Sequence, residues 1–171
     1  VHPSVKNVNN LTKEQIVDLY TGKIKNWTKL GGPNHKIYLV KREAGDSCRI
    51  IIEKEIPKLK NIPNSIGYTA YNTPDALKAI ENHPFTIGYL PLAVAKAGKV
   101  KVLSLDGVAP TLENVKKGLY KLVIPLGIAY KKKNLSKEAK LFIDFLFSQQ
   151  AKKIMKIYRI IPYEELKWVK H

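Results

Sequence analysis

Short apolar runs alternate with segments of helical periodicity along most of the chain. Continuous apolar or β-branched runs predict buried strands at 37–40, 65–68, 86–89, 100–105 and 122–130. Capping residues followed by apolar positions three and four apart predict helices at 12–20, from 46 or 47 to about 56, at 72–82 and 111–117, and from 136 onward. This alternation predicts an α/β fold with a mainly parallel sheet flanked by helices.

The starts of the first and last helices are the most specific of these predictions. Thr12 and Gln15 have the spacing of a capping box, so the first helix should run to about Tyr20. The final helix, from Ser136, is predicted to continue as one amphipathic element whose apolar face extends to Ile154. In the third helix either Asn72 or Thr73 caps the start, ahead of a proline in the first turn.

Composition places the chain among ordinary globular proteins. It has 171 residues, 44% of them hydrophobic and 26% charged, which suffices for one domain with a real core. No apolar run approaches the length that spans a bilayer. The first residues, Val1 to Ser4, lack a basic-then-apolar signal pattern, so we expect an export signal to be absent or already removed.

The formal net charge of +16 raises the question of a polyanionic partner. A nucleic-acid binder should interleave basic groups with exposed aromatics or place them on a recognition helix. Here Lys131, Lys132 and Lys133 lie at a predicted turn, while Lys152 and Lys156 share one predicted helix. We therefore expect a solvated lysine-rich surface, and nucleic acid is not an expected partner.

The segment from Arg42 to Arg49 carries the candidate chemistry. It joins a predicted strand to a predicted helix through Gly45, and it places Ser47 and Cys48 in the first helical turn. Exposed amide N–H groups at a helix start favour an anion, and a guanidinium donates two parallel hydrogen bonds. These features predict half of a pocket for a small tetrahedral anion, without covalent chemistry.

Asp46, in the middle of this segment, leaves three interpretations open. Its carboxylate either caps the helix, accepts a proton from a protonated oxyanion, or marks a site that has lost anion binding. Arg49 has two interpretations, because it can contact an anion or form an ion pair with Glu53 one helical turn later. Thr73 can cap its own helix or donate to the same cleft.

Cys48 is the one residue that suggests catalysis. A thiol in the first turn of a helix, between Arg42 and Arg49, is expected to be acidified and hence nucleophilic. The alternative is a weak hydrogen-bond donor. The histidines, His2, His35, His83 and His171, are scattered, and no base is placed beside the thiol. We therefore expect no enzyme activity, no metal site and no cofactor, and one cysteine excludes an internal disulfide.

Ordered motifs along the chain resemble the periplasmic phosphate-binding proteins of ABC transporters. The motifs are Val1-His2-Pro3, Asn10 to Ile16, Tyr20 to Trp27, Gly31-Gly32, Arg42-Glu43-Ala44-Gly45, Ile87-Gly88-Tyr89, Leu105 to Thr111, and a closing helix with Phe142, Asp144, Phe145 and Ser148. The resemblance implies a type II periplasmic-binding-protein fold, in which two α/β lobes close on a ligand. It also implies phosphate or a related oxyanion as ligand, ABC transporter membrane subunits as partners, and an extracytoplasmic location.

Two departures from that family shape the expectations. The family loop usually reads Arg-x-x-Gly-Ser-Gly-Thr, whereas Asp46, Ser47 and Cys48 follow Gly45 here. By resemblance, residues 1–120 correspond to the second lobe, and residues 121–171 are a strand-helix segment that returns to the first lobe. The family's N-terminal segment, which builds most of that first lobe, does not precede Val1.

Three possibilities for the chain as a whole remain open. It is a fragment, a natural single-lobe relative, or a protein completed by another copy or partner, with self-association through the incomplete first lobe. The main functional prediction is the solute-binding component of an ABC-type uptake system. The alternative is a single-lobe interaction or sensing module with a degraded anion pocket.

Overall fold

The computed structural model describes residues 1–63 and 65–166, so His171 and the end of the predicted 121–171 segment lie outside the described residues. The strands are β1 Asn10–Leu11, β2 Tyr38–Arg42, β3 Tyr68–Ala70, β4 Thr86–Ile87 and β5 Ser104–Leu105. The helices are α1 Lys13–Tyr20, α2 Ser47–Glu55, α3 Thr73–Asn82, α4 Leu92–Ala97, α5 Leu112–Lys116, α6 Lys137–Leu146 and α7 Gln149–Ile157. Single 3-10 turns occupy Trp27–Leu30, Pro57–Asn61, Lys132–Asn134 and Tyr163–Glu165.

Parallel strand pairing confirms the predicted α/β architecture. β2 is the central strand of a three-stranded sheet, with β3 on one side and β4 on the other, both parallel to it. Each strand is followed by a helix, and parallel neighbours need crossovers of this kind. The carboxyl ends of β2, β3 and β4 therefore lie at one edge of the sheet.

A second parallel pair joins distant parts of the chain. Asn10 of β1 is in register with Ser104 of β5, and Leu11 with Leu105. A further backbone hydrogen bond lies near this pair, in which the Lys101 N–H donates to the Val1 carbonyl at 2.8 Å. The first residues are thereby fixed to a segment about one hundred positions later.

Most buried apolar side chains belong to the first hundred residues. Trp27 and Leu19 are fully buried in the main cluster, and the Trp27 indole N–H donates to the Phe85 carbonyl at 2.9 Å. A smaller cluster around Val40 and Ile80 lies between the sheet and α3.

Local capping agrees with the sequence at several helix starts. Thr12 accepts from the Gln15 N–H while the Gln15 side chain accepts from the Thr12 N–H, which completes the predicted capping box. At α3 the cap is Asn72, which accepts from the Asp75 N–H at 2.8 Å. The alternative in which Thr73 caps that helix is therefore wrong, and the Thr73 hydroxyl is available to another group.

The predicted strand over 122–130 is wrong. In the described part of the chain this segment has no strand partner, and Leu126 is 75% exposed. A parallel strand exists only when neighbouring backbone supplies its hydrogen bonds, and no described segment runs beside this one. The predicted strand at 100–105 is reduced to Ser104–Leu105, the two residues that pair with β1.

The single long helix predicted from Ser136 is also wrong. α6 ends at Leu146, and Ser148 begins α7 by accepting from the Ala151 N–H at 3.2 Å. The serine hydroxyl competes with continued helix, since it satisfies an amide of the new first turn. Several apolar side chains of this helix pair are exposed: Leu141, Phe142, Phe145, Phe147, Ile154 and Ile157.

Candidate anion-binding site

The 42–49 loop lies at the carboxyl edge of the three-stranded sheet. Arg42 is the last residue of β2, and Asp46 immediately precedes α2. Gly45 turns the chain between them with a φ of +93°, a conformation that L side chains rarely adopt. Ligands of open parallel sheets bind at this edge, so the fold places the loop where a binding site is expected.

The Arg42 side chain is buried, with 3% of its surface exposed. Its Nη2 lies 2.7 Å from Asp46 Oδ2, and its Nη1 donates to Thr73 Oγ1 at 3.2 Å. The third group, Nε, is buried and has no hydrogen-bond partner among the described residues. The guanidinium is thus held through both terminal nitrogens, while Nε has no partner among the described residues.

The second Asp46 oxygen occupies the start of α2. Oδ1 accepts from the Cys48 N–H at 2.9 Å and from the Arg49 N–H at 3.2 Å. A single carboxylate therefore joins the helix N-terminus to the Arg42 guanidinium. The interpretation of Asp46 as a helix N-cap is confirmed, and the capping group is at the same time the partner of the arginine.

The Arg49 side chain does not pair with the Asp46 carboxylate, although the Arg49 amide does. The Arg49 Nε lies 2.6 Å from Glu53 Oε1, and its Nη1 donates to the Arg42 carbonyl at 3.2 Å. The ion-pair interpretation of the Arg49 side chain is therefore confirmed. Ser47, the first residue of α2, is exposed.

The expectation that Cys48 is acidified is wrong. Its side chain is 8% exposed, and burial together with the neighbouring Asp46 carboxylate raises the pKa of the thiol to about 11. The positive charge of Arg42 lowers the pKa, but by less than burial and Asp46 raise it, because that charge is already paired. Cys48 is a neutral thiol in the protein, which agrees with the alternative of a weak donor.

Tyr89, just after β4, is a site residue that the sequence analysis did not single out. Its Oη accepts the Arg42 backbone N–H at 3.0 Å. The Tyr89 ring packs 5.9 Å from the Tyr20 ring, and the Tyr20 hydroxyl donates to the Val40 carbonyl at 2.9 Å. Burial raises the pKa of both phenols. The available signal was the Ile87-Gly88-Tyr89 motif.

Residues after all three strands meet at the loop. Arg42 ends β2 and Asp46 follows it, Thr73 follows β3, and Tyr89 follows β4. Behind them, the Lys41 ammonium donates to the Pro63 carbonyl at 3.0 Å, and burial and then Arg49 lower its pKa. Two cationic side chains at this loop, Lys41 and Arg42, are therefore buried.

A cavity of about 1440 Å³ opens beside α2. Ser47, Cys48 and Tyr89 line it together with apolar residues around Leu122, whereas Arg42 and Asp46 do not. The cavity is therefore lined by the first turn of α2 and by Tyr89, and the Arg42–Asp46 pair is not part of its lining.

The described residues contain neither a metal-binding cluster nor a membrane-spanning helix. Over 1–63 and 65–166, no group of three or more His, Cys, Asp or Glu side chains has the arrangement of a metal site. Within those residues, no helix combines the length and apolar character needed to cross a bilayer. Of the histidines, His2 contacts Ser4, and His35 stacks on Phe85 at 3.7 Å.

A parallel sheet with a guanidinium and a helix N-terminus at its carboxyl edge is the arrangement of an α/β ligand-binding protein of the periplasmic type. A family model described as a PBP superfamily domain matches residues 1–150. The chain belongs to the periplasmic-binding-protein superfamily.

Named proteins of similar sequence make the comparison more specific. The phosphate-binding protein PstS of Bacillus subtilis is 34% identical over 161 residues, which cover 94% of this chain and 53% of the relative. PstS of Borreliella burgdorferi is 26% identical over 162 residues, covering 90% of this chain and 58% of the relative. The chain thus spans little more than half the length of these relatives.

Solved structures give the same result. A phosphate ABC transporter substrate-binding protein from Clostridium perfringens, with bound phosphate, has a TM-score of 0.85 at 30% identity. That match covers 94% of this chain and 65% of the other. An ABC-type phosphate transport receptor from Vibrio cholerae has a TM-score of 0.68 at 27% identity, covering 95% and 67%. The type II fold and the resemblance inferred from the motifs are confirmed.

Proposed function

We propose that this chain binds phosphate or a similar small oxyanion as part of the solute-binding component of an ABC-type uptake system. The observation that carries the proposal is the Asp46 carboxylate, which is itself an oxyanion. Its two oxygens are held by the Arg42 guanidinium and by two amides of the α2 N-terminus. Donors spaced for one oxyanion suit another of similar size.

The proposed ligand contacts come from the 42–49 loop. Arg42 supplies positive charge, the turn at Gly45 and the amides of Asp46, Ser47, Cys48 and Arg49 supply N–H donors, and Ser47 adds a hydroxyl. A charge-assisted hydrogen bond of this kind contributes roughly 1.5 to 3 kcal/mol. Thr73 belongs beside them, because its hydroxyl already contacts the guanidinium.

We also propose that residues 1–120 form the ligand-binding lobe and that 121–171 reach toward a separate lobe. The buried hydrophobic core supports this division. Among the described residues its members run from Val1 to Ala95, with Ala151 as the exception. The exposed apolar side chains of α6 and α7 are suited to contact with further protein.

The partners and location follow from the same proposal. A solute-binding component of an uptake system works outside the cytoplasmic membrane and delivers its ligand to the membrane subunits of the transporter. The relatives described above are named as binding proteins, and the neutral thiol of Cys48 supplies no nucleophile, so no catalysis is included. No finding favours a degraded interaction module or a nucleic-acid binder.

Calorimetric titration of the full-length protein with inorganic phosphate tests the proposal. We expect saturable binding and a rise in the thermal unfolding midpoint with phosphate concentration, because a ligand that binds only the folded state stabilises it. Arg42→Lys keeps the charge but removes the fork, so it should weaken binding at least about tenfold. Lys23→Met, which removes an exposed cation of the ion pair with Asp18, is the matched control.

The proposal is wrong if millimolar phosphate gives neither heat nor stabilisation, or if Arg42→Lys and Lys23→Met change binding equally. The second result would mean that the Arg42 guanidinium makes no specific contact with phosphate.

A further inference from the structure

Several of the donors proposed for an oxyanion are already in use. Arg42 Nη2, the Cys48 N–H and the Arg49 N–H all end on the Asp46 carboxylate. Arg42 Nη1 is directed to Thr73. The unused donor of this set is Arg42 Nε, which is buried and has no partner in the described part of the chain. The described residues therefore do not fill the hydrogen-bonding capacity of the Arg42 guanidinium.

An anion cannot simply join this arrangement. A second negative charge at contact distance from Asp46 would be repelled, and the repulsion is strong here because both side chains are shielded from water. The side-chain exposures are 3% for Arg42 and 13% for Asp46. An incoming oxyanion must therefore replace the carboxylate at the shared donors.

The Asp46 carboxylate can rotate away from the donors that it shares with an incoming anion. It lies outside the helix with an extended backbone, φ −63° and ψ 137°, so its side chain can rotate without unwinding α2. Its partial exposure gives the displaced carboxylate access to solvent. The amides of Cys48 and Arg49, together with Arg42, would then face the anion.

We propose that Asp46 is a tethered competitor that sets the anion affinity of this site. The inference rests on the proposed function. A competitor four residues from the arginine acts at a local concentration of about millimolar or higher, whatever the solution contains. Because only molecules with Asp46 displaced bind the anion, the apparent dissociation constant rises by the inverse of their fraction.

The experiment compares Asp46→Ser and Asp46→Asn with the natural full-length protein, by calorimetric titration with inorganic phosphate. Both replacements keep an acceptor suited to the N-cap, so the start of α2 is retained, but neither carries charge. Glu43→Gln is the matched control, since it removes a carboxylate from the same loop without touching the shared donors. Thermal unfolding without phosphate verifies that each variant folds.

We expect Asp46→Ser and Asp46→Asn to bind phosphate about tenfold more tightly or better, with Glu43→Gln within about twofold of the natural protein. If the Asp46 variants bind phosphate and the natural protein does not, the inference is also supported. In that case phosphate is not the ligand of the natural protein.

Two results overturn the inference. If the natural protein binds phosphate and both Asp46 variants bind it equally or more weakly, Asp46 does not compete, and the proposed function stands. If neither the natural protein nor any variant binds phosphate, the inference and the proposed function fail together.

Discussion

The backbone N–H of Arg42 donates to the phenolic oxygen of Tyr89 at 3.0 Å. This bond ties the end of β2 to the segment after β4, so the site arginine is fixed through its backbone as well as its side chain. The contact joins two neighbouring strands at the edge of the sheet, beyond the last residue of β4. The site is consequently sensitive to changes on a strand that contributes no charge to it.

Tyr89→Phe is expected to destabilise the protein by about 1 to 3 kcal/mol, because it leaves a buried N–H without an acceptor. Urea unfolding at neutral pH measures the change. Tyr38→Phe is the control, since the Tyr38 side chain is 46% exposed and should change stability by less than about 0.5 kcal/mol. Equal effects of the two substitutions would contradict a structural role for the Tyr89 hydroxyl.

Arg42→Ala is expected to cost about 3 kcal/mol of unfolding free energy, since it leaves the shielded Asp46 carboxylate without its charge partner. Arg49→Ala removes an equal charge from a more exposed pair with Glu53 and should cost about 1 kcal/mol. Parallel denaturant titrations compare the two. A larger loss for Arg49→Ala would show that the Arg42–Asp46 pair contributes little to folding.

Cys48 is expected to react slowly with thiol reagents in the folded protein. With its pKa raised to about 11, the thiol is neutral at pH 8, and the thiolate fraction is about a hundredfold below that of an ordinary cysteine. The alkylation rate should rise about tenfold per pH unit up to pH about 11 and then level off. Labelling in concentrated urea is the reference. Fast labelling at pH 7 would show that the thiol is acidified after all.

Gly67→Ala is expected to be far more disruptive than Gly45→Ala. Both glycines have positive φ, +75° and +93°, but a Cβ at Gly67 would lie 2.7 Å from the Leu39 carbonyl oxygen, whereas one at Gly45 has open space. Gly45→Ala should cost about 1 kcal/mol from backbone strain alone. Thermal unfolding midpoints rank the two variants, and the reverse order would contradict the geometry of the β2–β3 contact.

The exposed apolar face of α6 and α7 is expected to drive self-association of the 171-residue chain. Phe142→Ser together with Ile157→Ser should weaken association about tenfold or more, because each removes a large exposed apolar side chain that association would bury. Sedimentation velocity over a concentration series measures it. Lys140→Ser on the same helix is the control, and a concentration-independent monomer in the natural chain would exclude the prediction.

Local signals explain why most of the lobe was predictable. Thr12, Asp46 and Ser136 each precede a helix and accept one of its free amides, and short-range capping of this kind is visible in sequence alone. The parallel sheet followed from the alternation of elements. Ser148 is a capping residue of the same kind, but the apolar periodicity continues across it, so the sequence pattern does not reveal the break between α6 and α7.

The segment 122–130 shows where such reasoning fails. Its apolar residues favour a strand, yet strand formation depends on a neighbouring backbone, which sequence does not reveal. The Arg42–Asp46 contact has a related limit. The motif predicted both residues at the site, and it predicted the capping role of Asp46. It left open that the carboxylate also pairs with Arg42, because that depends on side-chain rotamers.

The pairing of β1 with β5 has a consequence for biosynthesis. Asn9 to Leu11 acquire their partners on the β5 segment only when Ser104 to Asp106 have been synthesised. At a translation rate of about 5 to 20 residues per second, this leaves β1 without its partner strand for several seconds or more. The pairing that holds Leu11, which is 2% exposed in the folded protein, is therefore a late contact in synthesis.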